Sequence, residues 1–290
     1  MKILVTGAAG QLGRETELAL QAEGNEVIAI DRKELDLSVP EHVAEFIASH
    51  QADWVINCAA YTAVDKAEEE PAIAYAVNRD SARAVAEGVK QYGGRLLHIS
   101  TDFIFDGSQS TPYKEDDTAN PLGVYGQSKW EGEQEIRKIL PAATILRTAW
   151  VYGLHGNNFV KTMLRLASER EQLRIVDDQI GSPSHTLDIY RAIRALMSNG
   201  AMGTFHFTNE GVTSWYDFAW QIINEGKAMG FPVKTESILP IPSKEFPTPA
   251  KRPHYSVLSK EKIRKKLDFS IPHWRESLTK MLEQLKAEAV

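Results

Sequence analysis

The sequence predicts an α/β protein, a doubly wound parallel sheet of the Rossmann type with a smaller, discontinuous α/β substrate lobe beside it. Three observations predict this. Short β-branched runs alternate with helical patterns through the first half of the 290 residues, a glycine-rich turn joins the first run to the first helix, and the texture changes after Gly153. Alternation of this kind implies parallel strands joined by crossover helices, and open sheets so built collect ligands at the carboxyl ends of their strands.

Taken in order, KILVT is the first strand and is followed by a helix from about Leu12. EVIAID is the second, with a helix over Pro40 to His50, and WVINCAA is the third, with two helical stretches after it. RLLHIS (95–100) and ATILRTAWVYG (143–153) continue the series. Beyond Gly153 the pattern gives a helix at NNFVKTMLRLASE, a strand at LRIVDD, a helix at TLDIYRAIRALM, a strand at TFHFTNE and a long helix from Ser214. A proline-rich stretch, LPIPSKEFPTPAKRP (239–253), interrupts before two closing helical segments. The expected dinucleotide-binding domain is 1–150, with 183–200 returning to it; 151–182 and 201–290 form the substrate-binding lobe.

Composition removes several classes of function. The formal net charge is −6 and the basic residues are dispersed, with KEKIRKK (260–266) the only dense group, read as a solvated helix face. No nucleic-acid partner is expected. No apolar run reaches bilayer length and MKILVTG reads as a strand and turn rather than a leader, so a cytoplasmic chain without membrane contact is expected. The single cysteine, Cys58, lies in an apolar run as a small buried thiol and excludes disulfide frameworks and cysteine metal clusters.

TGAAGQLG puts Gly7, Gly10 and Gly13 between the first strand and the first helix. Glycines let the backbone turn tightly and approach a diphosphate, while the helix N-terminus offers unpaired N–H groups. The second strand ends in Asp31, at the distance where a carboxylate meets the adenosine ribose. Asp31 favours the free 2′-hydroxyl of NAD, whereas Arg32 and Lys33 suit the 2′-phosphate of NADP. Both cofactors stay open.

YGQSK (125–129) sets Tyr125 four residues before Lys129, on one helical face. A phenol with an ordinary pKa of about 10 exchanges protons poorly at neutral pH, and a nearby ammonium is expected to lower it. Tyr125 would then exchange a proton with a carbonyl or alcohol oxygen while a cofactor exchanges the hydride. Ser100 and Thr101 end the fourth strand, and Thr101 is the chosen hydrogen-bond donor to that oxygen.

These elements, with NCAAYTAVDKAE, NPLGVYGQSKWEGE, LRTAWVYG, GNNFVKTML and DDQIGSPS, make the chain resemble the extended short-chain dehydrogenase/reductases and, among them, the dTDP-4-dehydrorhamnose reductase family. The resemblance runs nearly the full length. It implies reduction of the C4 keto group of dTDP-4-dehydro-L-rhamnose, with Tyr125 as proton donor, Lys129 lowering its pKa and holding the nicotinamide ribose, and Thr101 orienting the carbonyl. It further implies NADPH, with NADH open, and places Gly10, Gln11 and Leu12 at the phosphate turn, Asp36 and Leu37 at the adenine edge, and Ala60, Tyr61 and Thr62 beneath the nicotinamide. Asp102 and Trp150 match sugar-contacting positions.

Asn157, Asn158 and Arg252 stay open between diphosphate contacts and ordinary capping or pairing. Glu15 matches one position of a magnesium-linked dimer in the family, but the second position reads Leu187 and Asp188, so no metal site is expected and the chain is a monomer or a homodimer. Two alternatives share these residues: a nucleotide-sugar epimerase or dehydratase that regenerates its NAD, and a non-catalytic, cofactor-binding regulatory subunit.

Overall fold

β1 (Lys2–Thr6), α1 (Gln11–Ala22) and β2 (Glu26–Ile30) form the first crossover unit, and α2 (Val43–His50), entered through a single 3-10 turn at Pro40–His42, leads to β3 (Trp54–Asn57). The computed structural model describes residues 1–288; residues 289 and 290 of the expected lobe lie outside the described residues. The helical region after β3 is longer than two stretches. It runs through α3 (Val64–Glu69), α4 (Pro71–Tyr75), a π-helical turn at Ala76–Asp80 and α5 (Ser81–Tyr92). Next come β4 (Arg95–Thr101), α6 (Val124–Ile139) and β5 (Thr144–Thr148).

Six parallel strands make the main sheet, in the order β10-β5-β4-β3-β1-β2, where β10 spans Gly203–His206. Period-two alternation sends Ile3 and Val5 to one face, under α1 and α8 (Thr186–Ser198), and Leu4 to the other, under α2 and α5. Both faces are covered, so the strands are continuous apolar runs. The crossovers after β1 and β2 run in opposite directions, which leaves a switch point outside the carboxyl ends of β1 and β3.

The run expected as one strand at 143–153 is broken. Trp150 has φ of +48°, a left-handed conformation that a bulky L-residue rarely adopts, and the chain resumes only as the short β6 (Val151–Tyr152). There it leaves the sheet for the lobe, through α7 (Phe159–Glu169), β7 (Gln172–Val176), β8 (Ile180–Gly181) and β9 (Ser184–His185) before α8. After β10 the lobe continues with β11 (Thr213–Ser214), α9 (Trp215–Ala228), β12 (Ser237–Ile241), the short α10 (Glu261–Arg264) and α11 (Trp274–Glu288). Its own core gathers Tyr152, Leu164, Phe218, Ile222, Trp274 and Leu278.

Three details differ from the sequence reading. Residues 203–206, expected in the lobe, pair in parallel with β5 and complete the main sheet. The proline-rich stretch begins as a strand, β12, paired with β7; Pro240 is tolerated because this is a two-stranded ribbon in which its missing N–H need not face a partner. The KEKIRKK face is not wholly solvated: Lys260 is buried and donates to the Thr208 hydroxyl and the Asn209 carbonyl, while Ile263 packs into the core.

Candidate active site

A cleft of about 900 Å³ opens at the switch point. Gly7 and Gly13 make its floor possible. Gly7 has φ of +70°, and a Cβ there would lie 2.7 Å from the Ala59 nitrogen; a Cβ on Gly13 would lie 2.1 Å from the Gly7 carbonyl oxygen. No side chain fits either position. Gly10, as N-cap of α1, contributes no side-chain oxygen, so the first N–H groups of the helix, from Gln11 and Leu12 onward, are left for an anion. The Gln11 Oε1 atom is buried without a partner. The glycine cradle and the unsatisfied helix start fit the diphosphate of a dinucleotide.

The far end of the cleft carries Asp31, Arg32, Asp36 and Leu37. Asp31 accepts the Lys33 N–H at 2.6 Å, which holds its carboxyl below the ordinary value. Asp36 accepts from both the N–H and the hydroxyl of Ser38, and Arg32 lies 3.4 Å from it with 80% of its side chain exposed. Ala60, Tyr61 and Thr62 form the middle wall. Asn78, in the π-helical turn, accepts from the Tyr61 N–H at 2.9 Å, donates to the Tyr61 carbonyl at 3.1 Å, and also reaches the Ser128 hydroxyl at 3.0 Å. One side chain thereby fixes this wall against α6, a use typical of π-bulges near functional sites.

Helix α6 presents Tyr125 and Lys129 to the cleft one turn apart, as the spacing predicts. Its N-cap, Gly123, has no capping side chain. Glu68 on α3 substitutes, accepting the Val124 N–H at 2.8 Å, and puts a carboxylate at the positive end of the helix. Thr101, at the end of β4, accepts the Phe103 N–H at 3.2 Å and donates to Asp102 at 3.1 Å. Asp102 is only 2% exposed and its Oδ2 has no partner, so burial pushes its carboxyl up to about 6.

The electrostatics differ from the expectation for Tyr125. Burial pushes its phenol up to about 12; the Thr101 hydroxyl lowers it less, and the Asp102 carboxylate raises it further. Lys129 does not offset this, because its ammonium is turned to β4, donating to the Ile99 carbonyl at 2.7 Å and lying 3.2 Å from His98 Nε2. Burial also pushes Lys129 down to about 8, against the pull of Glu133 one turn further on. Cys58 lines the cleft wall, and burial raises its thiol to about 12, leaving it inert as a nucleophile.

Trp150 combines the sheet break with the cleft. Its ring stacks on Trp215 at a centroid distance of 3.5 Å and covers Gly181, while the residue lines both the main cleft and an adjoining cavity of about 150 Å³. Arg252 borders that smaller cavity and pairs with Asp65 at 2.8 Å; its Nε is buried without a partner. The two asparagines separate: Asn157 lines the cleft, whereas Asn158 caps α7 by accepting the Lys161 N–H. Glu15 accepts from Thr186, and Asp188 is taken up by Asn209 and Ser277. Among the described residues no group of three or more His, Cys, Asp or Glu is placed to hold a metal ion.

The family model described as the RmlD substrate binding domain matches residues 1–287. The chain belongs to this family. A relative named dTDP-4-dehydrorhamnose reductase, from Escherichia coli, is 40% identical over 98% of each chain. A crystal structure of a dTDP-4-dehydrorhamnose reductase from Clostridium acetobutylicum superimposes with a TM-score of 0.92 at 41% identity, over 99% of this chain and 100% of the other. One from Bacillus anthracis, in complex with NADP, also reaches 0.92 at 37% identity, over 98% and 99% of the two chains.

Four residues behind this RmlD-family cleft were not singled out from sequence: Asn57, Glu68, Asn78 and His98. Asn57 and His98 sit inside apolar strand runs, where a polar residue on a strand buried on both faces is a usable signal. Asn78 is a poor helix former within a helical pattern. Glu68 reaches Val124 across 56 positions, and nothing local announces such a contact.

Proposed function

We propose that this chain reduces the C4 ketone of dTDP-4-dehydro-L-rhamnose to dTDP-L-rhamnose with NADPH. The observation that carries the reading is the grouping of Thr101, Tyr125 and Lys129 at one end of a glycine-floored dinucleotide cleft, in a chain of the family whose relatives bear the reductase name. Bound NADPH supplies the hydride that converts the carbonyl carbon to an alcohol carbon. The protein's part is to hold the sugar, exclude water and deliver one proton.

Thr101 is our candidate for the donor that orients the ketone oxygen, and Tyr125 for the acid. A phenol raised to about 12 keeps its proton at neutral pH and is therefore loaded for reduction; an alkoxide is more basic still, so transfer to it runs downhill. Lys129 is assigned to the nicotinamide ribose, with its ammonium held on the β4 side by the Ile99 carbonyl. Asp102 and Trp150 are assigned to the sugar, and the smaller cavity, with Arg252, to the nucleotide portion. For the cofactor, Gly7, Gly10, Gln11, Leu12 and Gly13 would take the diphosphate, and Ala60, Tyr61 and Thr62 the nicotinamide side. Asp36 and Leu37 would border the adenine. Asp31 already spends one oxygen on the Lys33 N–H and Arg32 is exposed beside it, which supports NADPH over NADH.

The assigned division of labour is a sheet domain of 1–150 and 183–206 for the cofactor and a lobe of 151–182 and 207–288 for the sugar. The test is to supply purified protein with dTDP-4-dehydro-L-rhamnose and follow nicotinamide absorbance with NADPH and then NADH. One equivalent of NADPH oxidised per dTDP-L-rhamnose formed is expected. Conversion of the sugar without net nicotinamide oxidation would favour an epimerase, and binding without turnover a regulatory subunit.

A further inference from the structure

Lys129 has no carboxylate in contact with its ammonium. The groups that reach it are His98 from β4, the Cys58 thiol from the loop after β3, and Glu133 from its own helix, and Glu133 is already engaged by two arginines. What touches the ammonium is neutral: the Ile99 carbonyl at 2.7 Å and His98 Nε2 at 3.2 Å. His98 is 1% exposed. Its Nδ1 faces Asn57 Nδ2 at 3.0 Å, and Asn57 Oδ1 accepts from the Thr6 hydroxyl at 2.6 Å.

Donor and acceptor counting fixes the ring. An ammonium only donates, and a neutral imidazole has one N–H and one lone pair. His98 Nε2 must therefore accept from Lys129, which leaves the hydrogen on Nδ1. Nδ1–H then requires an oxygen where Asn57 Nδ2 stands, so the amide is turned end for end, with its NH₂ toward the Thr6 hydroxyl, because the hydrogen-bond network decides which end is oxygen. Read this way, three donors point in one direction, from Lys129 through His98 and Asn57 to Thr6. Burial and the adjacent Lys129 charge hold His98 well below its ordinary pKa, consistent with a ring that stays neutral.

We propose that His98 is a positioning residue of the reduction: as the Nδ1–H tautomer anchored by Asn57, it holds the Lys129 ammonium by its Nε2 lone pair and keeps it charged and directed where the nicotinamide ribose needs it. This rests on the reductase reading for its kinetic consequence but not for its geometry. Losing the acceptor removes a hydrogen bond that favours the charged lysine. His98→Leu should therefore lower kcat by about 10- to 100-fold, the scale of one hydrogen bond to a charged group, and shift the basic limb of the kcat–pH profile to lower pH. His98→Gln, whose Oε1 can occupy the place of Nε2, should restore most of kcat and return the limb. KM for the sugar should change little in either.

The geometry is tested without turnover. Nitrogen-15 spectra of histidine-labelled full-length protein, with His98 assigned by its absence in His98→Gln, should give a protonated Nδ1 and an unprotonated Nε2 from about pH 6 to about pH 8, where a free imidazole changes charge. A protonated Nε2 overturns the proposal whatever the enzyme's activity. Equal losses of kcat in the Leu and Gln variants, with no movement of the basic limb, would also overturn it and leave His98 a packing residue. If wild-type protein oxidises no NADPH with the sugar, the reductase reading fails, while the spectra still decide the tautomer.

Discussion

Two buried polar clusters lie one helical turn apart on α6, and they are wired in opposite ways. Around Glu133 everything is paired: its two oxygens receive Arg147 through two nitrogens at 2.8 and 2.9 Å, Arg137 at 2.8 Å and Ser100 at 2.6 Å, and Arg147 goes on to the Glu115 carbonyl. Burial alone would raise the Glu133 carboxyl, yet the arginines and Ser100 hold it below its ordinary value. Around Lys129 and Asp102 the charges meet only neutral partners, one carboxylate oxygen has none, and both groups titrate near neutrality. Charge that is fully matched fastens α6 to β5. Charge left partly unmatched, and turned toward a cavity, is available to a ligand.

The largest effect that would break this contrast is catalytic. Tyr125→Phe keeps the ring that packs edge-on to Phe103 at 5.5 Å but removes the acid. Turnover should fall by about 10²–10⁴-fold with NADPH affinity nearly unchanged, as read by stopped-time product analysis and cofactor fluorescence; near-normal turnover removes Tyr125 from its role. In the matched cluster the effect should be on stability instead. Glu133→Ala leaves Arg147 buried without a counter-charge and should cost about 3–5 kcal/mol, measured by urea unfolding. A loss below 1 kcal/mol would mean the cluster is not fastening the helix.

Asp102 sharpens the comparison through pH. Its folded pKa of about 6 exceeds the ordinary 3.8, so between those values the folded chain holds more protons than the unfolded one, and stability falls as pH rises. Asp102→Asn should abolish that fall and gain up to about 3 kcal/mol at pH 7, seen as a flatter plot of unfolding free energy against pH; an unchanged slope would refute the assignment. The smallest effect belongs to Glu68. Glu68→Ala uncaps α6 and should cost about 1 kcal/mol in thermal unfolding, with a modest loss of kcat as Tyr125, the next residue but one after the N-cap, loses its anchor.

Sequence made most of the framework legible because local signals and the global fold agree there. The alternating runs KILVT, WVINCAA and RLLHIS are strands of one parallel sheet, and TGAAGQLG is the turn that the glycines demand. The spacing of Tyr125 and Lys129 gave their shared face, but not the direction of the lysine, which depends on His98 and Ile99 on another element. The same limit hid the break at Trp150. AWVYG has every local mark of a strand, and only the stacking on Trp215, 65 positions away, accompanies its left-handed backbone. Likewise β10 looked like lobe because strand membership is decided by the partner, β5, and not by its own four residues.

That placement of β10 bears on how the chain is made. β5 is complete at Thr148, but its outer edge stays unpaired until residues 203–206 arrive, and all of residues 149–202 come between them. During synthesis, and in any fragment ending between β5 and β10, the buried run of Thr144, Ile145 and Leu146 is an open edge of the kind that recruits other chains. The lobe is thus also an interval in time, during which the unfinished sheet is most in need of protection.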